Sequence, residues 1–295
     1  MADLTRRGMF KTAGVAVAAI GMSSVPGPVR GLFSGPAARP RSPDVPWNND
    51  PESPIGPPNW DTIGFPECGL GTSQSPVDIR TDQLAKYPGG PLLLNYEISE
   101  AAVVNTGHYV EVPIPPGVDD TLDIDGDLFR LTQYHFHAPS EHAVNGHLAG
   151  LEAHFVHKNI HGNTAVIGVF FNIGSDPNHL LDTILLSAPE TAHEKVIIGK
   201  ASPADLFQNL SGVRMTPTGA IQVESFYSYD GSLTTPDCSQ GLRWSVLAGA
   251  GQVSQPAVTR FHQLIERFPY YNGYPNNNRP VQPLNGRIIS VRSGP

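Results

Sequence analysis

Histidines occur at alternate positions in two segments of the chain, and this spacing suits a metal site. The first segment is Gln133-Tyr134-His135-Phe136-His137, and the second is Glu152-Ala153-His154. Alternate side chains of a β-strand share a face, so His135 and His137 lie about 6–7 Å apart on one side. If the two strands are neighbours, His154 supplies a third nitrogen ligand. Three histidines leave the fourth position of a zinc ion open, as in catalytic rather than structural zinc sites.

Two further polar residues share the face of these histidines. Gln133 precedes His135 by two positions, and Glu152 precedes His154 by two. Glu152 is placed to accept the second N–H of a ligating imidazole, which fixes the ring and its tautomer. A His-x-His pair in a strand also occurs as a simple hydrogen-bonded pair without a metal. The spacing by itself leaves both interpretations open.

The rest of the sequence predicts a fold built mainly of strands. Glycine and proline number 30 and 29 among 295 residues, and short apolar or alternating runs lie between turn residues. The frequent turn residues favour a single domain with a large, mostly antiparallel, twisted sheet and a few short peripheral helices. Asp176 and Pro177 predict the start of one helix, and Pro256 predicts the start of another. After Phe268 we expect an irregular segment along the surface.

Charge and cysteine content exclude several functions. The formal net charge is −8 and no basic run occurs, so we expect no nucleic-acid partner. Cys68 and Cys238 are the only cysteines, too few for a thiolate zinc site or an iron–sulfur cluster.

The N-terminal residues predict export from the cytoplasm. Arg6-Arg7 precede an uncharged apolar stretch that is shorter than the roughly 20 residues a membrane helix needs. The pattern resembles a twin-arginine signal, and an amphipathic or disordered tail is the alternative. We expect a signal peptide over 1–38, a proline-rich tether and N-terminal arm over 39–59, and a periplasmic or secreted mature protein without a membrane span.

Beyond the histidines, the chain resembles the α-class carbonic anhydrases, particularly the exported bacterial members, from about Trp60 to Arg287. The matching segments occur in the same order as in that family: Gln74-Ser75-Pro76-Val77-Asp78-Ile79, Asn105-Thr106-Gly107-His108, Gln133 to His137, Ser140-Glu141-His142, Glu152 to His157 and Tyr229 to Pro236. The resemblance implies the fold expected above, over a domain of residues 60–295.

The resemblance also implies an activity and its residues. The activity is the reversible hydration of carbon dioxide to bicarbonate and a proton. Zinc-bound hydroxide attacks carbon dioxide, and the zinc ion is held by His135, His137 and His154. Gln133 and Glu152 correspond to the residues that orient the ligands. Thr234 and Glu141 correspond to the pair that orients the zinc-bound hydroxide, and His108 corresponds to the proton shuttle.

Other family positions form the substrate site and a disulfide. An apolar pocket surface suits carbon dioxide, because this molecule is not bound through hydrogen bonds. In an exported protein the two cysteines predict one disulfide, whereas two buried thiols are the alternative in a reducing compartment. The family implies the same pairing of Cys68 with Cys238. The substrate-site residues implied by the family are Val156, Val166, Leu233, Thr235 and Trp244; without the resemblance, Val156, Val166 and Trp244 are equally compatible with an ordinary core.

Two positions depart from the family. Trp47-Asn48-Asn49-Asp50 stands where the family has a run that includes a tyrosine at the rim of the site. Glu111 stands where a glutamine or asparagine is usual, and its charge is expected to raise the pKa of His108 or to tether it. We therefore expect the zinc chemistry to be retained and proton transfer to be the altered step.

The alternative from another functional class is a non-catalytic zinc-binding or recognition protein on the same fold. A zinc peptidase lacks support, since no His-Glu-x-x-His sequence occurs. We expect a small-molecule substrate and a monomer or homodimer.

Overall fold

The structure is a computed structural model, and it describes residues 45–293. The expected signal peptide, 1–38, lies outside the described residues, as does the first part of the tether.

Short strands dominate the described chain. In chain order they are β1 (Asp78–Ile79), β2 (Ala85–Lys86), β3 (Leu92–Asn95), β4 (Ser99–Asn105), β5 (Val110–Pro113), β6 (Thr121–Ile124), β7 (Asp127–His137), β8 (Ala143–Val144), β9 (His147–Leu148), β10 (Leu151–Lys158), β11 (Thr164–Ile173), β12 (Lys195–Ala201), β13 (Val213–Met215), β14 (Ile221–Val223), β15 (Phe226–Ser232), β16 (Gln240–Val253) and β17 (Ser290–Arg292).

Fourteen of these strands form one sheet, and β1, β8 and β9 form a small second one. The main path of the large sheet runs β13-β14-β3-β6-β7-β10-β11-β16-β15-β17-β2, with β5, β4 and β12 branching from β7. Among the described strand pairs, only β11–β16, β17–β2 and β1–β8 are parallel. The prediction of a large, mostly antiparallel sheet is confirmed.

The two faces of the central strands meet different surroundings. Tyr134 and Phe136 of β7 are buried in the main apolar core, together with Phe155 of β10. The alternate residues Val156 and, on β16, Trp244 belong to a second, smaller core on the other face. Because side chains alternate along a strand, the histidines lie on the face of the second core.

Between residues 45 and 293, three α-helices accompany the sheet: α1 (Glu67–Leu70), α2 (His179–Ser187) and α3 (Gln255–Ile265). Short 3₁₀ turns cover Pro57–Asn59 and Pro203–Phe207. The prediction for the start of α2 was wrong by two residues: Asn178, not Asp176, caps the helix by accepting a hydrogen bond from the Leu181 N–H. Asn178 is held there by its own N–H, which donates to the Gln252 carbonyl at the end of β16. For α3, Ser254 is the cap and Pro256 lies in the first turn, as expected.

The segment after Phe268 is mostly irregular and exposed or half-buried, as expected, but it also inserts polar residues into the interior. Asn277 and Arg279 are each only 1% exposed, and near the end of the described chain β17 pairs with β15. Arg279 uses its guanidinium to donate to the carbonyls of Ser75 and Cys68. These bonds account for the burial, because a buried guanidinium needs acceptors for its donors.

Cys68 and Cys238 form a disulfide with a Cα–Cα distance of 5.0 Å, as expected. Both are buried beside Trp60. The disulfide joins α1 to the loop that follows β15. Within residues 45–293, no helix has the length and apolarity needed to cross a bilayer.

Candidate active site

Strand register brings the three predicted histidines together. In the antiparallel pair β7–β10, His135 is directly opposite His154, and His137 is opposite Glu152. One candidate ligand nitrogen from each of His135, His137 and His154 lies within 4.8 Å of the other two. All three side chains are buried. The alternation that the sequence suggested therefore produces a compact cluster of imidazoles.

Each imidazole has one nitrogen occupied by an acceptor, which identifies the free one. His135 Nδ1 donates to Gln133 Oε1 at 2.8 Å, and His137 Nδ1 donates to the Asn277 carbonyl at 2.9 Å. His154 Nε2 donates to Glu152 Oε1 at 3.0 Å. The partners are a side-chain amide oxygen, a backbone carbonyl and a carboxylate, which accept and do not donate. The lone pairs left free are therefore on His135 Nε2, His137 Nε2 and His154 Nδ1.

This donor set fits zinc. His137 Nε2 is buried and has no hydrogen-bond partner among the described residues, a costly condition that a coordinated metal relieves. Three imidazole nitrogens with their other N–H groups fixed are the usual ligands of a catalytic zinc ion. A second cluster, His142, Glu152 and His154, shares only His154 with this donor set, and its members already hydrogen-bond through Glu152.

Burial and charge set the protonation of the ligands. Burial, together with the neighbouring histidines, holds the pKa of His135 well below its usual value. Burial also lowers the pKa of His137, although Glu141 opposes the shift. The pKa of His154 is raised: burial lowers it, but the charges and hydrogen bond of Glu152, with Glu141, outweigh burial. At neutral pH the first two rings are therefore neutral and offer a lone pair, as metal binding requires.

Glu152 joins the ligand His154 to the backbone behind the site. Its Oε2 accepts from the N–H groups of Glu141 and His142 at 2.9 and 2.8 Å, and its Oε1 accepts from His142 Nδ1 at 2.7 Å. Burial alone raises the pKa of this carboxyl, but the charges and hydrogen bonds of His142 and His154 hold it well below its usual value. Glu152 is therefore an ionised acceptor at neutral pH.

Sequence reasoning missed a second group of supporting residues. His142 Nε2 lies 2.6 Å from the Tyr229 hydroxyl, which donates to Ser75 Oγ at 2.9 Å. From the tail, Asn277 Nδ2 donates to the carbonyls of Phe136 and His108. The Arg279 N–H donates to Glu141 Oε1 at 2.8 Å. No periodic pattern marks these tail residues, and only the buried polar contacts reveal them.

Glu141 and Thr234 are both buried, and Glu141 lies beside two of the three histidines. Glu141 Oε1 lies 3.5 Å from His137 Nδ1, and its Oε2 lies 3.8 Å from His154 Nδ1. Oε2 has no hydrogen-bond partner among the described residues, so the bond from Thr234 that the family implies is not formed in this structure. Thr234 is 5% exposed. The role of this pair remains a prediction.

The predicted apolar wall forms a row across adjacent strands. Val156 is opposite Val166 in the β10–β11 pair, and Val166 is opposite Trp244 in the β11–β16 pair. Leu233 packs against the same cluster. The centroids of the Trp244 and His154 rings lie 4.8 Å apart, which places this apolar surface beside the histidine cluster. Thr235 is half-buried on the same loop as Thr234, and its carbonyl accepts from the Cys238 N–H.

His108 lies in the turn between β4 and β5 and is covered by the N-terminal arm. Its ring stacks on Trp47 with a centroid distance of 3.7 Å and an interplanar angle of 6°. Burial, with a smaller contribution from the charge of His193, lowers the pKa of His108 to about 4. Burial and His193 both lower this pKa, so the expectation that the charge of Glu111 would raise it was wrong. Glu111 itself has a pKa raised by burial, and in the β5–β7 pair it lies opposite His135.

Comparison with known proteins agrees with the fold. The family model described as eukaryotic-type carbonic anhydrase matches residues 55–293. A carbonic anhydrase of Pectobacterium carotovorum is 34% identical over 235 residues, which are 79% of this chain and 86% of that protein.

Two solved structures illustrate the range of similar proteins. The α-carbonic anhydrase from Thermovibrio ammonificans, in complex with the inhibitor sulfanilamide, is 35% identical with a TM-score of 0.71, covering 84% of this chain and 99% of that one. Dioscorin complexed with ascorbate is 28% identical with a TM-score of 0.72, covering 85% and 99% of the two chains.

These matches extend over most of the chain and include the strands that hold the histidine cluster. The chain belongs to the eukaryotic-type, or alpha, carbonic anhydrase family, whose members are lyases.

Proposed function

We propose that this chain catalyses the reversible hydration of carbon dioxide to bicarbonate and a proton, with zinc held by His135, His137 and His154. The observation that carries the proposal is the convergence of three free imidazole nitrogens, each on a ring whose other nitrogen donates to a fixed acceptor. When bound, zinc supplies Lewis acidity, which lowers the pKa of a coordinated water to near 7.

Apolar residues beside the histidines are proposed to bind carbon dioxide. Val156, Val166 and Trp244 give an apolar surface for carbon dioxide beside His154. A nonpolar substrate gains most from such a surface, because it makes few hydrogen bonds. Leu233 and Thr235 extend the substrate site along the loop held by the disulfide.

Thr234 and Glu141 are proposed to orient the oxygen that reacts. An ionised Glu141 only accepts hydrogen bonds, so a Thr234 hydroxyl that donates to it must accept from the reacting oxygen. The buried Oε2 of Glu141 is available for this bond, and its Oε1 is held by the Arg279 N–H.

His108 is proposed to accept the proton that hydration releases and to pass it to buffer. A histidine suits this transfer near neutral pH, but burial lowers the pKa of His108 to about 4. A weaker base accepts the proton less readily. We therefore propose that proton transfer, rather than the reaction of carbon dioxide, limits turnover.

Export remains part of the proposal. Arg6-Arg7 and the short apolar stretch that follows them support a twin-arginine signal, and the Cys68–Cys238 disulfide suits an oxidising compartment. A periplasmic or secreted enzyme, as a monomer or homodimer, is the corresponding prediction.

A non-catalytic binding protein is the second candidate. The similarity to dioscorin complexed with ascorbate supports it, because one fold carries unrelated functions. The two candidates differ in one measurable property, which is carbon dioxide hydration by the zinc-loaded protein.

The test compares His135→Ala with His147→Ala, whose native histidine is exposed on β9. Zinc content and carbon dioxide hydration are measured for both variants and the native protein. We expect native protein and His147→Ala to bind one zinc and to hydrate carbon dioxide, and His135→Ala to lose both properties. Zinc binding without hydration in the native protein would support the binding protein. Full activity of His135→Ala would refute the ligand assignment.

A further inference from the structure

A buried arginine, Arg279, joins the irregular segment after α3 to the chain in and after α1. Its Nη1 donates to Gln74 Oε1 at 2.8 Å and to the Ser75 carbonyl at 2.7 Å, and its Nη2 donates to the Cys68 carbonyl at 2.8 Å. The guanidinium also lies over the Trp60 ring, 5.4 Å from its centroid. Three hydrogen bonds and an aromatic surface hold this planar group in one orientation.

The acceptors of the guanidinium are themselves fixed. Cys68 is joined to Cys238 by the disulfide, and Gln74 Nε2 donates to the Cys238 carbonyl at 3.0 Å. Gln74, Ser75 and Cys238 are 2%, 0% and 0% exposed. Arg279 is therefore anchored to a buried and cross-linked part of the fold.

The backbone N–H of the same arginine donates to a carboxylate of the candidate active site. Its acceptor is Glu141 Oε1, at 2.8 Å. Residues 274–284 have no helix, strand or turn, and Pro280, the next residue, has no N–H. Within residues 45–293, the nearest backbone–backbone hydrogen bonds of this segment are those of Asn277 and Gln282, two and three residues away. The side chain of Arg279 is therefore the closest anchor of its own N–H.

The orientation of Glu141 matters because its two oxygens have different tasks in the proposed reaction. Oε1 accepts from Arg279, whereas Oε2 is buried, has no hydrogen-bond partner among the described residues and is the proposed acceptor for Thr234. The carboxylate is planar, so a hydrogen bond that fixes Oε1 also restricts Oε2. Burial lowers the pKa of Arg279 to about 10, and the charge of Glu141 opposes the shift, so the guanidinium is charged at neutral pH.

We propose that Arg279 is a positioning residue for the hydration step: its guanidinium fixes the backbone N–H that holds Glu141 Oε1, and Glu141 then presents Oε2 to Thr234. This inference rests on the proposed function, since it needs Glu141 to act in hydration. It adds that a side chain bound to residues 68–75 controls the reaction of carbon dioxide and leaves proton transfer unchanged.

The test uses Arg279→Lys, which keeps the charge but loses the planar group, and Arg287→Lys as the matched control. The Arg287 guanidinium also donates to backbone carbonyls, including that of Gln74, and also lies over an aromatic ring, Tyr229. In zinc-loaded Arg279→Lys we expect kcat/KM for carbon dioxide hydration to fall about 10- to 100-fold, as a small misplacement of a reacting group does. Zinc content stays native and imidazole does not restore the rate. Arg287→Lys keeps the native kcat/KM.

A double-variant cycle with Glu141→Gln separates positioning from a general structural effect. If Arg279 acts through Glu141, Arg279→Lys lowers kcat/KM no further in the Glu141→Gln protein. Additive losses, or an equal fall in Arg287→Lys, would show a structural role and overturn the proposal. An unchanged kcat/KM in folded Arg279→Lys would overturn it as well.

A further variant decides the question if Arg279→Lys does not fold. Gln74→Leu removes one acceptor of the guanidinium and leaves Arg279 in place. We expect a smaller fall of kcat/KM, which again disappears in the Glu141→Gln protein. A native kcat/KM in Gln74→Leu, or a loss that adds to that of Glu141→Gln, would then contradict the proposal.

A second readout depends neither on zinc nor on activity. In ¹H–¹⁵N spectra of the zinc-free native protein, we expect a downfield amide proton at residue 279 and a coupling through the hydrogen bond from its nitrogen to the Glu141 carboxylate carbon. Arg279→Lys should lose the coupling and move the amide proton upfield, whereas Arg287→Lys should keep both. Absence of the coupling in the native protein, or its retention in Arg279→Lys, would overturn the proposal. An inactive native protein would refute the proposed function, while this spectrum would still decide whether Arg279 positions Glu141.

Discussion

Gly168 of β11 leaves the space that Glu152 of β10 occupies. A Cβ atom added at Gly168 would lie 2.8 Å from Glu152 Oε1, closer than van der Waals contact allows. The carboxylate has little freedom to move, since it accepts from His142 and His154 and from two backbone N–H groups. The glycine is thus required by the position of the Glu152 carboxylate rather than by the strand.

Gly168→Ala is therefore expected to weaken zinc binding about 10- to 100-fold, as loss of a ligand-orienting partner does. The measurement is a competition titration with a chromophoric chelator. Gly90→Ala is the control, because the atom nearest to a Cβ there is 3.8 Å away. Equal zinc affinity in the two variants would show that the orientation of His154 does not depend on this space.

His108→Ala should slow turnover without affecting the reaction of carbon dioxide. We expect kcat to fall roughly 10- to 100-fold at low buffer, kcat/KM to stay constant, and imidazole to restore part of the rate. Stopped-flow hydration assays give all three quantities. His161→Ala, at an exposed turn, is the control. If His108→Ala retained native kcat at low buffer, His108 would not be the shuttle.

His157 is expected to make the fold sensitive to acid. Burial lowers the pKa of this ring to about 3, and its Nε2 lies 2.7 Å from the Tyr96 hydroxyl. Between the unfolded pKa of about 6.5 and the folded value, the unfolded chain binds a proton at this site that the folded chain does not. Its contribution to the free energy of unfolding therefore falls as the pH drops below about 6.5, by about 1.4 kcal/mol per pH unit.

Denaturant titrations of the zinc-loaded protein from pH 7 to pH 4 measure this slope. His157→Gln should have the shallower slope, and Tyr96→Phe, which leaves the histidine in place, should keep the native one. Parallel slopes for native protein and His157→Gln would mean that His157 is protonated in the fold.

The disulfide is expected to stabilise the loop that carries Thr234. Replacing both Cys68 and Cys238 by serine should lower the free energy of unfolding by up to about 5 kcal/mol, because the bond closes a long loop. Thermal unfolding of the native protein with and without reductant measures the loss of stability when the disulfide is reduced. The double variant should unfold at the same temperature under both conditions. If reductant also destabilised the double variant, the loss of stability would not come from the Cys68–Cys238 bond.

The strand pattern predicted the centre of the site correctly because alternation is a local property. His135 and His137 share a face by strand geometry, and Phe136 between them is buried in the opposite core. The sequence did not determine that His154 would be opposite His135, and the pairing was first an assumption that the register then confirmed.

Other features were beyond sequence reasoning for physical reasons. Asn277 and Arg279 lie in an irregular, polar segment without periodicity, and their burial depends on acceptors far away along the chain. For α2, Asp176 and Asn178 are equally good capping types. The backbone N–H groups of both residues donate to Gln252 of β16, so the sequence offered no basis for choosing between them. Gly168 had a detectable signal, because a glycine inside a strand often marks a close approach.

The most direct test of the central claim is a zinc reconstitution experiment on the native protein. Zinc is removed with a chelator, and carbon dioxide hydration is measured as zinc is returned in substoichiometric steps. We predict negligible activity without zinc, a linear rise with added zinc and a plateau at one ion per chain. Activity that survives complete zinc removal, or a fully loaded protein that does not hydrate carbon dioxide, would contradict the account.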